Sequence, residues 1–107
     1  MRKLLVLAIS IALLALVPLS ASGSATKHVR VGDDLRFHPK KLRIHKGTKV
    51  LWKWDGMLLH NVTVKKGPVK FHSKTMTSGT YSHTFKKKGT YTLICTVHGF
   101  KMTVTVR

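Results

Sequence analysis

Cys95, His98 and Met102 fall within one short run, Cys95-Thr96-Val97-His98-Gly99-Phe100-Lys101-Met102, and Cys95 is the only cysteine of the chain. A second imidazole, His60, stands well upstream beside Asn61. A thiolate, two imidazoles and a thioether form a ligand set suited to copper. The soft thiolate favours Cu(I), imidazole accepts Cu(I) or Cu(II), and a long axial thioether bond tunes the balance. Cys95 and His98 can share one loop between two strands. The other imidazole must arrive from elsewhere in the fold, and His60 is the best candidate. Met57, Leu58 and Leu59 precede it and could shield the metal edge from water.

The first residues do not read as part of that fold. Arg2 and Lys3 lead into the uncharged apolar stretch Leu4 to Val17, and Pro18 to Ala25 is small and polar. That order is the signature of a secretory leader. The apolar stretch is shorter than the roughly 20 residues that cross a bilayer. Small residues permit cleavage after Gly23 or after Ala25, and the second divides the chain into a signal peptide, 1–25, and one small domain, 26–107. The product would be exported, periplasmic or extracellular, with no transmembrane segment after cleavage. A lone thiol in such a compartment is liable to oxidation unless a metal occupies it. Domains of this size often rely on a metal or disulfides for support.

The chain carries 20 lysines and arginines against 3 acidic residues, a formal net charge of +17. Such a field steers acidic partners and attracts polyanions without specificity; a solubilising lysine surface is the plainer reading, and no specific nucleic-acid motif accompanies it. The three acids are Asp33, Asp34 and Asp55, and there is no glutamate. No Ser-His-Asp set, paired carboxylates or phosphate-cradling glycine loop can be assembled. An enzyme is not expected.

The elements that must position the ligands read as strands. No segment sustains a period near 3.6, and short β-rich runs recur between glycine and lysine turns. Strands are expected at Lys27 to Val31, Leu42 to His45, Lys49 to Trp54, His60 to Val64, Thr80 to Phe85, Thr90 to Cys95 and Met102 to Val106, with loops at Asp55 to Leu59 and Lys65 to Ser78. Seven short strands in one small domain imply an all-β sandwich. Val50, Trp52 and Trp54 share one strand face, which places both tryptophans in the core.

The ordered motifs resemble a known family. Phe37-His38-Pro39 followed by Leu42 is similar to an F-x-P-x-x-L opening, and Gly47-Thr48-Lys49-Val50-Leu51-Trp52 to a G-x-x-V-x-W segment. His60-Asn61-Val62-Thr63 resembles a first-ligand segment. Ser78-Gly79-Thr80-Tyr81, Phe85 and Gly89-Thr90-Tyr91 resemble the strands that lead to Cys95-x-x-His98. Together they resemble the small cupredoxins, the plastocyanin, amicyanin and pseudoazurin group. The resemblance implies a Greek-key β-sandwich of about seven to eight strands and one type 1 copper held equatorially by His60, Cys95 and His98. Asn61 would tie the first-ligand strand to Thr96 by a hydrogen bond. The function implied is one-electron transfer by a monomer to an acidic partner in transient contact, with His98 as the exit route within an apolar patch of Met57, Leu58, Val97, Gly99 and Phe100. A copper-delivery protein without a redox circuit, and a basic polyanion-binding module on the same scaffold, are the alternatives.

The axial position departs from the family pattern. Amicyanin-like loops place Met three residues after the second His and plastocyanin-like loops five after; here Met102 is four after. Met102 is the expected axial ligand. If the closing strand Thr103-Val104-Thr105-Val106 sets the register instead, Phe100 can fall at the axial place and Met102 becomes a strand residue, leaving three strong ligands. Of the other imidazoles, His28, His38, His45, His72 and His83 read as exposed, with His72 and Met76 as a weak second metal site. Met57 reads as a lid over the metal edge or a core residue, and Lys86-Lys87-Lys88 as a solvated turn.

Overall fold

The computed structural model describes residues 25–107, so the expected leader lies, but for Ala25, outside the described residues. Eight strands follow: β1 Thr26–Gly32, β2 Arg36–His38, β3 Lys41–Ile44, β4 Lys49–His60, β5 Thr63–Lys66, β6 Met76–Thr84, β7 Gly89–Ile94 and β8 Lys101–Val106. Among the described residues there is no helix. The strands form two four-stranded sheets, in the orders β2-β1-β4-β6 and β3-β8-β7-β5. Each sheet is mixed: β1 runs parallel to β4, and β3 parallel to β8, while the remaining pairs are antiparallel.

Alternation of side chains along each strand makes this a sandwich. Val29 and Val31 of β1, Val50, Trp52 and Trp54 of β4, Tyr91 and Leu93 of β7, and Met102, Val104 and Val106 of β8 all point into one buried core. Aromatic rings fill its centre. Trp52 lies 5.9 Å from Tyr81 and 6.3 Å from both Phe71 and Phe85, and Phe85 meets Tyr91 edge to face at 4.9 Å. Such offset and edge contacts suit the quadrupoles of the rings.

The strands differ from the sequence expectation in several places: β2 at Arg36–His38 falls where no strand is expected, and β5 runs Thr63–Lys66 rather than from His60 to Val64. β4 does not stop at Trp54 but continues to His60 against β6, with the register broken between Asp55 and His60. The intervening residues bulge, and pairing resumes at His60 opposite Met76. A bulge carries no period of its own, so it reads as loop in the sequence. His60 therefore ends a strand rather than starting one. The region expected as loop up to Ser78 includes the start of β6 at Met76.

Candidate metal centre

Three strand ends meet at one edge of the sandwich. β4 delivers His60 at its last position, β7 ends at Ile94 just before Cys95, and β8 begins at Lys101. The connection from Cys95 to Phe100 is a tight loop. Gly99 N–H donates to the Cys95 carbonyl at 2.7 Å, and Cys95 N–H donates to the Phe100 carbonyl at 2.9 Å. Gly99 makes that turn at φ 83°, a left-handed value that glycine adopts without strain. The loop holds His98 close to Cys95 and leaves its ring exposed.

His60, Cys95 and His98 are positioned to hold a single metal ion. Their ligand atoms all lie within 4.8 Å of one another, with His60 and Cys95 buried and His98 exposed. Cys95 Sγ faces His60 Nδ1 at 3.9 Å, and the two imidazole rings are 5.0 Å apart. The other nitrogen of His60, Nε2, lies 3.0 Å from Asp33 Oδ1. Nδ1 is thus the nitrogen left to face the thiol. A buried thiol and two imidazoles converging in this way form a donor set that fits copper.

Hydrogen bonds lock the ligand-bearing segments together. Asn61 is buried and uses its whole side-chain capacity: Nδ2 donates to Thr96 Oγ1 at 2.7 Å and to Thr75 Oγ1 at 3.0 Å. Its Oδ1 accepts from Thr96 N–H at 3.1 Å and from Thr63 Oγ1 at 2.9 Å. This joins the residue after His60 to the residue after Cys95, across the two sheets. Trp54 Nε1 donates to the His60 carbonyl at 3.0 Å, and Ser73 Oγ accepts from Val62 N–H at 2.9 Å. Asp33, Thr75 and Ser73 were not singled out from the sequence. No spacing rule links a turn near residue 33 to an imidazole at 60.

Met102, the expected axial ligand, is a buried residue of β8. It lies in the core directly opposite Leu93, and its Sδ accepts a hydrogen bond from Trp52 Nε1 at 3.4 Å. The two-residue alternation Met102, Val104, Val106 sets this: all three face inward together. The residue facing Cys95 across the loop is Phe100, whose ring sits 5.4 Å from His60, 6.4 Å from His98 and 4.8 Å from Phe37. Leucine in place of Met102 is expected to leave the visible spectrum of the copper-loaded protein unchanged, since volume is nearly conserved. Absorption spectra of the two proteins check this, and a displaced band in the variant would restore the thioether to the metal.

The remaining imidazoles divide. His28, His45 and His72 are exposed. His38 is engaged by Asp34 at 2.8 Å. His83 is half-buried and stacks on Phe71 at 3.7 Å, and burial holds its pKa below the usual imidazole range. Met57 is not a core residue, being 87% exposed.

Comparison with known proteins bears on this geometry. A family model described as copper binding proteins, plastocyanin/azurin family, matches residues 24–107. The fold is similar to amicyanin from Paracoccus versutus (Thiobacillus versutus), at 26% identity and a TM-score of 0.66, covering 80% of this chain and 83% of that one. It is also similar to the Cu(I) form of an amicyanin mutant, at 25% identity and a TM-score of 0.67, covering 80% and 84%. A purple cupredoxin from Nitrosopumilus maritimus shares the fold, at 24% identity and a TM-score of 0.66, covering 76% and 99%.

Proposed function

This chain belongs to the plastocyanin/azurin family of copper-binding proteins, and from that membership we propose that it is an exported type 1 copper protein that carries one electron at a time and transforms no substrate. The single observation that carries this reading is the convergence of a buried Cys95 with His60 and an exposed His98. A bound copper ion would supply one-electron chemistry with a thiolate-dominated site. His60, Cys95 and His98 would hold it, with the Phe100 ring beside both imidazoles.

The rest of the task falls to the chain. The Asn61 network and the closed Cys95–Phe100 loop keep the donors in place whatever the oxidation state, so little rearrangement is needed. Phe37, Phe100 and Trp54 exclude water from the inner side. The exposed edge of His98 is the exit route. The large exposed apolar residues Leu35, Met57, Leu58, Leu59 and Val97 all fall on segments that build this end of the molecule. An apolar contact zone of that kind suits the small, transient interfaces of electron carriers.

An acidic partner is supported by a local feature as well as by net charge. Arg36, Lys40 and Lys101 line an open cleft of about 340 Å³ with Leu35, Gly99 and Phe100, directly beside the ligand loop. The test is stopped-flow oxidation of the reduced, copper-loaded protein by hexacyanoferrate(III), an anionic one-electron acceptor. Oxidation should be second-order, slow down as salt rises, and return the visible band with one equivalent of oxidant. Charge reversal at the cleft, Arg36→Glu with Lys40→Glu and Lys101→Glu, should slow it about tenfold or more. The same change of charge at the far hairpin, Lys86→Glu with Lys87→Glu and Lys88→Glu, should act much less. Equal slowing by both sets would make the field a general one. Loss of copper on reduction would favour delivery over electron transfer.

A further inference from the structure

Asp33 lies in the turn between β1 and β2, yet its carboxylate is spent entirely on the far end of β4. Its Oδ2 accepts from Met57 N–H at 2.8 Å, and its Oδ1 accepts from Leu58 N–H at 3.3 Å. The same Oδ1 faces His60 Nε2 at 3.0 Å. Gly56 makes room for it: a Cβ there would collide with the carboxylate carbon and both of its oxygens. The contacts coincide with the stretch where β4 leaves its register with β6, between Asp55 and His60. One side chain thus fastens the bulge and the ligand that the bulge delivers. The neighbouring acid cannot stand in for it, because Asp34 is engaged with His38.

The chemistry of the acceptor decides the tautomer. An ionised carboxylate only accepts hydrogen bonds, so the ring nitrogen beside it must carry the proton. Asp33 also accepts from the backbone N–H groups of Met57 and Leu58, so its oxygens meet donors on every side, as a carboxylate's do. With Nε2 protonated, the Nδ1 lone pair of a neutral His60 is free and faces Cys95 Sγ. A carboxylate behind a ligating imidazole also raises its basicity, which favours the more highly charged metal state.

Resting on the copper-site reading above, we infer that Asp33 is a positioning residue of the metal centre: it fixes His60 as the Nε2–H tautomer, pins the Gly56–Leu59 bulge, and biases the site toward the oxidised metal. The inference is specific to this chain's own turn and glycine, and it predicts an effect on redox balance that a purely structural contact would not produce.

The test uses the full chain with Asp33→Asn and Asp33→Ala. In the metal-free protein, 15N-detected NMR of the imidazoles should show His60 wholly as the Nε2–H form in the parent and as a tautomer mixture in Asp33→Ala. In the copper-loaded protein, Asp33→Asn keeps an oxygen acceptor but removes the charge. It should weaken Cu(II) relative to Cu(I) binding about tenfold, the lower end of the range for groups that support metal ligands. For one electron that is a rise of about 59 mV in reduction potential. Unchanged potential in both variants, with the visible band intact, overturns the inference. A parent protein with no copper–thiolate band would instead refute the copper-site reading. The tautomer measurement then decides the Asp33 contact by itself: the same tautomer in parent and Asp33→Ala overturns it.

Discussion

Serine in place of Cys95 should abolish the visible copper–thiolate band and lower copper affinity by more than about 100-fold while the fold persists. A hydroxyl does not ionise near neutral pH and is a poor partner for Cu(I). Loss of groups that merely support a metal ligand costs about 10–100-fold in affinity; loss of the strongest ligand itself should exceed that. The fold should tolerate the change because serine is nearly isosteric and the hydroxyl can bond locally, at a cost of about 1–3 kcal/mol if it is left unpaired. Cys95 is fully buried and faces His60 Nδ1, so an imidazole acceptor is at hand. Equilibrium copper titration against a competing chelator, with circular dichroism of the metal-free protein alongside, measures both quantities. Parent-like affinity in Cys95→Ser would place the copper elsewhere.

Alanine at Trp52 should cost about 3–5 kcal/mol of folding stability, the range for deleting a large aromatic side chain from a core. Trp52 is wholly buried at the centre of β4, where Phe71, Tyr81 and Phe85 surround it and its Nε1 bonds Met102 Sδ. A domain of this length has roughly 4–12 kcal/mol of stability to lose at about 0.05–0.15 kcal/mol per residue. At the lower end of that range the variant would be largely unfolded without metal, and at the upper end it would stay folded with about 7–9 kcal/mol left. Phenylalanine there should cost less, since it keeps an aromatic ring among its neighbours. Urea denaturation of the metal-free proteins, followed by circular dichroism, gives the numbers. A loss below about 1 kcal/mol for Trp52→Ala would mean that the core does not close around this residue.

The sandwich and three of its functional side chains were legible in the sequence because their signals are local. Two-residue alternation places Val50, Trp52 and Trp54 inside, and the structure buries all three. Cys95 and His98 share a loop short enough to be read as a unit, and His60 follows from the need for a second imidazole. What was hidden depends on contacts between distant segments. The bulge that carries β4 on to His60 has no period, and the apolar run Met57-Leu58-Leu59 reads equally well as loop or strand. Asp33 approaches His60 from 27 residues away, through a turn with no motif. Met102 had two readings in competition, a soft ligand near the metal and an inward strand residue. Alternation with Val104 and Val106 prevailed, because a register slip of one residue would turn that whole buried face outward. The same register brings Phe100 beside the two imidazoles.

The measurement that tests the central claim most directly is the visible absorption spectrum of the purified, metal-free protein during stepwise addition of Cu(II). The account predicts an intense thiolate-to-copper band that grows linearly and stops at one copper per chain. A protein that binds one copper without that band, or that binds none, would contradict it.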